Sequence, residues 1–114
     1  MESGHALAST RGRISIAGRA VAQMVGHTVA ECYGVVEMDG GRVGRLRSRD
    51  TRGVEVRGTP HGLEITLHVV VEYGLNIAEI ASTIRSRVTY EVERLTGLDV
   101  ASVEVHVADV RRSA

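Results

Sequence analysis

Leu63, Ile65, Leu67, Val69 and Val71 alternate with Glu64, Thr66, His68, Val70 and Glu72. Successive side chains on a β-strand point to opposite faces, so this run predicts one long strand with an apolar face and a mostly polar one. The apolar face must be covered by another layer. Directly after it the period changes. Ile77, Ile80, Ala81, Ile84, Val88, Val92 and Leu95 recur at the i, i+3, i+4 spacing of an amphipathic helix. Asn76 is placed as its N-cap, with Glu79 three residues on where a carboxylate can reach back to the cap. Leu75 and Ile80 are placed for a hydrophobic staple, and Gly97 for a C-terminal cap. Arg87 and Glu91 stand as an i, i+4 pair.

The first half of the chain follows a similar plan. Arg13 to Ile16 predicts a short strand. From Ala17 a helical stripe runs through Val21, Met24, Val25, Thr28, Val29 and Cys32, and Gly34 falls where a left-handed cap belongs. Val54 to Arg57 alternates, and Gly58-Thr59-Pro60-His61-Gly62 turns it into the long strand as a hairpin. At the C-terminal end Val103, Val105 and Val107 alternate with Glu104 and His106. The order is β-α-β-β-α-β. It predicts an α+β domain, with two helices packed on one face of a three- to four-stranded antiparallel or mixed sheet. Without the short first strand the order is α-β-β-α-β, which also occurs in small nucleic-acid-binding modules.

The 114 residues suffice for one small domain. Its expected limits are 13–110, with a flexible N-terminal tail at 1–12 and a mobile Arg/Gly-rich loop, DGGRVGRLRSRDTRG, at 39–53. Acids and bases balance, so whole-molecule charge selects no partner. The single cysteine excludes an internal disulfide framework and fits a reducing cytoplasm. No signal peptide is visible, and no apolar run approaches the roughly 20 residues that span a bilayer. The expectation is a cytoplasmic protein whose membrane contact, if any, is peripheral or through a partner.

Candidate chemistry is sparse. The turn Tyr73-Gly74-Leu75-Asn76 joins strand to helix, a place where phosphate can bind, but it has one glycine where phosphate loops have several. Asn76 and Glu79 serve that helix end, which reads as a structural cap. His68 and His106 share the polar sheet face with Glu64, Glu72 and Glu104, without the spacing of a zinc site. Cys32 falls on an apolar stripe and reads as a buried thiol. No nucleophile elbow or paired-carboxylate arrangement is present. The expectation is therefore no catalytic, cofactor-binding or metal-binding residue.

Two features bear on partners, and the first, the Arg-rich loop, reads as a solvated, variable insertion ahead of any contact with a membrane, an anchor protein or nucleic acid. Arg42, Arg45, Arg47, Arg49 and Arg52 against Asp50 give the loop a net charge of about +4. Anionic headgroups attract such a segment by about 1 kcal/mol per basic residue. Nucleic acid is the alternative ligand, against which stands the absence from the loop of any aromatic residue for base stacking. The second is the polar sheet face, where Glu64, Thr66, His68, Val70, Glu104 and His106 form a candidate self-association surface, with Glu55 and Arg57 beside them. Val70 is its apolar exception.

The segment VVVEYGLNIAEIASTIRSRVTYEVERLTGLDVASVEVHVADV, residues 69–110, resembles the alkaline shock, or Gls-type, general-stress protein family of bacteria. The likeness rests on Tyr73-Gly74, Asn76-Ile77, the apolar spacing through Val92, and Thr96-Gly97-Leu98 leading into the Val103, Val105, Val107 alternation. Upstream, ISIAGRAVAQMVGHTVAECYGVVEM at 14–38 is similar to the family's first helix and its Gly-Val step, here Gly34-Val35. GVEV at 53–56 fits the strand after its variable loop. Cys32-Tyr33 and the long Arg-rich loop depart from the pattern. The resemblance implies a cytoplasmic stress protein without established catalysis. Such proteins sit at the membrane through a small anchor protein in some cases and self-associate in others.

Overall fold

The computed structural model describes residues 6–8, 15–39 and 51–112. In chain order the elements are β1 (Ala6–Ala8), β2 (Ser15–Ala17), α1 (Gly18–Ala30), β3 (Val35–Met38), β4 (Val54–Thr59), β5 (Gly62–Glu72), α2 (Ile77–Thr96) and β6 (Val100–Arg111). The α+β class and the packing of two helices on one face of a four-stranded sheet agree with the sequence reading, and β1 and β2 form a separate two-stranded sheet. β1 lies inside the span read as a tail and pairs antiparallel with β2, Ala6 opposite Ala17. Residues 1–5, 9–14, 40–50 and 113–114 lie outside the described residues.

The long alternating strand, β5, organises the sheet. It pairs in parallel with β6 from Leu63 to Glu72. It pairs antiparallel with β4 over Gly62 to Leu67 and with β3 over Val69 to Val71. A strand has two edges, and β6 fills one along its whole length, so β3 and β4 share the other, end to end. They are two halves of one edge strand. Both ends of the break are tied to one residue. The Asp39 N–H donates to the His68 carbonyl at 2.8 Å, and the His68 N–H donates to the Gly53 carbonyl at 2.9 Å. The parallel pairing of β5 with β6 needs a crossover, and α2 supplies it.

Leu63, Ile65, Leu67, Val69 and Val71 of β5 form the floor of the core. Val21, Val25 and Val29 of α1 and Ile80, Ile84, Val88 and Val92 of α2 cover it, with Val103, Val105 and Val107 of β6 packed beside them. The buried row on α2 keeps a four-residue step through Thr96, the ridge by which helices pack. The predicted stripe is therefore too long at both ends. Ile77 is exposed, and Leu95 is 52% exposed because Thr96 takes the inward position. α1 ends at Ala30, two residues before Cys32, as the Glu31 and Cys32 amides bond back to the Thr28 and Val29 carbonyls. Arg87 reaches Glu31 of the α1 end at 3.7 Å, where the sequence pairs it with Glu91, and Glu91 bonds Arg94 at 2.8 Å.

Both ends of α2 are closed by the residues expected to close them. Asn76 Oδ1 accepts the Glu79 N–H at 3.1 Å. The staple closes on a glycine: a Cβ on Gly34 would lie 2.6 Å from Ile80 Cδ1 and 3.3 Å from Leu75 Cδ1, so Gly34 leaves room for both side chains. Thr96-Gly97-Leu98 is a compact stop signal. The Thr96 hydroxyl donates to the Val92 carbonyl at 2.6 Å and accepts the Leu98 N–H at 3.0 Å. Gly97 takes φ 76°, and Leu98 returns to the core.

Gly62 and Gly74 both have positive φ, 125° and 96°, but different surroundings. A Cβ on Gly62 would stand 2.6 Å from the Asp99 carbonyl oxygen, whereas one on Gly74 meets nothing within 4 Å. That carbonyl accepts the Leu63 N–H at 2.8 Å and cannot turn aside without breaking the sheet edge. Gly74→Ala is expected to cost only the left-handed backbone penalty, about 1–2 kcal/mol. Gly62→Ala is expected to cost about 3 kcal/mol or more, because the collision adds to it. Urea unfolding of the two variants measures the gap, and equal losses would show that the contact is not tight.

Candidate interaction surface

The helices cover one face of the sheet and leave the other to solvent. Register aligns that outer face in rows across β4 or β3, β5 and β6. The rows are Arg57, Glu64, Ser102; then Glu55, Thr66, Glu104; then His68, His106; then Glu37, Val70, Asp109; then Glu72, Arg111. Arg57 bonds Glu64 directly opposite, with Nε 3.1 Å from Oε1. The His68 and His106 rings stack with centroids 5.1 Å apart and planes 19° apart. Each leans on a carboxylate: His68 Nε2 is 3.2 Å from Glu55 Oε2, and His106 Nε2 is 3.3 Å from Glu104 Oε1. Arg111 is ion-paired with Glu37 and lies 3.6 Å from Asp109. The cross-strand pairing therefore sets the geometry of this surface, and rigid strands hold it.

The candidate self-association residues Glu64, Thr66, His68, Glu104 and His106 do share this surface. Val70 is a correction. It belongs to the same row set but is 0% exposed, so it lies beneath the surface and offers nothing to a partner. Glu37 and Asp109 flank it in register, and Arg111 links the two. Both neighbouring strands also slip register at this level, between Val35 and Glu37 on β3 and between Val107 and Asp109 on β6. Such bulges re-aim side chains, and no periodicity in the sequence announces them. Of the five loop arginines, Arg52 is described and half-buried, and Arg42, Arg45, Arg47 and Arg49 lie outside the described residues.

The ASP23 family model, described as having a cell envelope-related function, matches residues 6–112. The chain belongs to the ASP23 family. YloU of Bacillus subtilis (strain 168) is 34% identical over 107 residues, which cover 88% of this chain and 89% of YloU. Spy1614 of Streptococcus pyogenes serotype M6 is 28% identical over 107 residues, 88% of each chain. A stress response regulator gls24 homolog of Streptococcus pyogenes serotype M3 is also 28% identical over 107 residues, but the match covers 89% of this chain and 60% of the relative. Among solved structures, a triple-substitution variant of MamM CTD aligns with a TM-score of 0.56 over 80% of this chain and 93% of that one, at 15% identity. At that identity the likeness is one of fold. The alkaline shock, Gls-type resemblance is thereby established at the level of the family, whose description is cell envelope-related.

The other chemical candidates sit apart in this ASP23-family domain. Cys32 is 4% exposed and its Sγ donates to the Thr28 carbonyl at 3.5 Å. Burial pushes its thiol above the ordinary value, against a smaller pull downward from Arg87. Tyr73 is exposed at the strand-to-helix turn, with the Arg112 guanidinium 4.8 Å from its ring centroid. Among the described residues no group of three or more His, Cys, Asp and Glu side chains is arranged to hold a metal ion. Among the same residues no helix is long and apolar enough to cross a membrane.

Two outcomes are expected. Val70→Ala destabilises the fold by about 2 kcal/mol in urea, the loss of two buried methyls plus a cavity, and leaves the molecular mass in solution unchanged. A changed mass with unchanged stability would return Val70 to the surface. Cys32 reacts with a disulfide reagent such as DTNB only as the fold opens, so labelling at pH 8 is at least a hundredfold slower in buffer than in denaturant. Fast native labelling would contradict its burial.

Proposed function

We propose that this chain is a non-enzymatic, stress-associated adaptor at the cell envelope, which docks through its outer sheet face to a small membrane-anchored partner and to copies of itself. The observation that supports this most is the face itself. Two helices shield one side of the sheet, and the other side presents fixed, paired charges and a stacked imidazole pair to solvent. A surface held in place by strand pairing loses little side-chain freedom on docking, and paired charges give orientation and fast encounter more than raw affinity. That suits reversible assembly. The family's cell envelope-related description and the stress-response name of its relatives supply the setting. The basic segment at 42–52, rooted at the edge of the same sheet, adds a contact for anionic headgroups near such an anchor.

The test is membrane fractionation of a tagged chain together with a variant carrying Glu55→Ala, Glu104→Ala and His106→Ala. These positions are exposed, so the variant is expected to keep its melting temperature within about 2 °C. The parent is expected in the membrane fraction, with a membrane-spanning protein recovered on capture, and the variant in the supernatant. Equal retention of both would move the docking site off the sheet. A parent found only in the supernatant, in unstressed and stressed cells alike, would end the envelope reading.

A further inference from the structure

We infer that the outer edge of β6 pairs antiparallel with the β6 edge of a second copy, across a two-fold axis at Val105, and so joins two four-stranded sheets into one. The inference rests on the self-association part of the proposed function and names where the copies meet, at the β6 margin of the outer face. The two edges of the sheet are unlike. One is broken between Asp39 and Gly53 and consists of strands of four and six residues, with a register shift in β3. Short, interrupted edges resist pairing with another chain. The other edge is β6, twelve residues long. Among the described residues no strand pairs with its outer side. It contains no proline and no lysine. Its register shifts fall before Ser102 and after Val107, so the stretch between them is regular. The inward side chains there, Val103, Val105 and Val107, carry no charge and are half-buried although they pack against the core. A long, regular, apolar edge of this kind is a template for another strand.

The main-chain groups of this stretch settle which residues can pair. The amides of Leu63 and Tyr73 turn toward β6, and those of His68 and Glu72 turn toward the opposite edge. Odd-numbered residues of β5 therefore face β6. In a parallel pair such a residue bonds to the two residues that flank its partner, and the partner's own N–H and C=O point the other way. Ile65, Leu67 and Val69 stand opposite Val103, Val105 and Val107. The N–H and C=O of these three valines thus turn to the open edge. Charge complementarity favours a second copy as the occupant and fixes the register. Centred on Val105, that residue meets its own copy, and Val103 meets Val107 of the second copy. All three valines then donate and accept. On the outer face Glu104 of each copy stands opposite His106 of the other, at about 4.5 Å between Cα atoms. Glu104 need not be unpaired for this. Its Oε1 lies 3.3 Å from its own His106 Nε2. A carboxylate has two oxygens and an imidazole two nitrogens, so two such pairs close into a ring of four groups. Centred on Glu104 instead, the two Glu104 carboxylates would collide, and centred on His106, Asp109 would oppose Val103. The axis stands perpendicular to the sheet, so the helices of both copies lie on one side and their outer faces run together on the other.

The experiment uses the full chain, followed by sedimentation equilibrium and by residue-resolved amide hydrogen exchange across a roughly hundredfold range of protein concentration. The parent is expected to form a dimer as concentration rises, and the Val103, Val105 and Val107 amides to exchange at least tenfold more slowly as it does. His106→Glu brings four carboxylates together and is expected to weaken the dimer at least tenfold. The swap variant, Glu104→His with His106→Glu, restores an acid opposite an imidazole and is expected to recover it. Both positions are exposed, so both variants are expected to keep the fold. Association that leaves the three amides exchanging as fast as in dilute protein would place the contact elsewhere, overturning the inference while self-association stands. A parent that stays monomeric at every concentration would overturn the inference and the self-association reading together. Amides that slow only when membrane extract is added would give the edge to a strand of another protein and overturn the second copy as its occupant. A dimer of unchanged strength in His106→Glu, or a swap that fails to recover it, would overturn the pairing centred on Val105.

Discussion

β5 hydrogen-bonds along both edges, and its side chains divide cleanly between core and solvent. A slip of one residue in its pairing would exchange Ile65, Leu67 and Val69 for Thr66, His68 and Val70 under the helices, which no core of this size could absorb. Register is thus held by burial, and everything else follows from it. The same register that sets Leu67 against Val54 and Val105 sets His68 against His106 and Glu64 against Arg57. The order of the outer face is a by-product of the order of the core. Charge pairs on an open surface contribute little to stability, with a median of about 0–1 kcal/mol, so the fold rests on the buried face and not on these pairs.

Much of the fold was legible because it is written in period and in punctuation. The two-residue alternation of β5 up to Val69, the middle of the α2 stripe from Ile80 to Val92, its Asn76 cap and its Gly97 stop appear as read. These features depend on neighbours within a few positions, which a single sequence displays. What was not legible depends on residues far apart in the chain. That β3 and β4 form one interrupted edge requires knowing that β6 already occupies the opposite edge. Arg87 has Glu91 within helical reach, and the tertiary fold brings Glu31 to it instead. Val70 looked like an apolar residue on a polar face, and neither its burial nor the register shifts beside it leave a trace in composition. For the outer sheet face, the residues that share it were legible, Val70 apart, and their stacking and ion pairs were not.

The motifs that mark the family have physical duties in this chain. Gly34, in the Gly-Val step, leaves space for Leu75 and Ile80 to close over the start of α2, and so couples the two halves of the chain. Thr96-Gly97-Leu98 stops α2 and turns the chain into β6, with Glu93 Oε2 accepting the Val100 N–H at 3.0 Å at the first residue of that strand. Neither touches the outer face. The residues that carry these motifs lie on the helix side of the sheet, away from the outer face.

The break in the edge strand has a further consequence. Asp39 and Gly53 are both bonded to the main chain of His68, so the separation of the two ends is set by β5 and not by what lies between them. Closing a loop of twice the length costs only about 0.6 kcal/mol more entropy. The segment between them is therefore a socket whose contents can be lengthened, shortened or replaced while the sheet keeps its register. An affinity tag, a fluorescent domain or a relative's own segment could be exchanged there, turning one domain into a series with a common body and interchangeable reach.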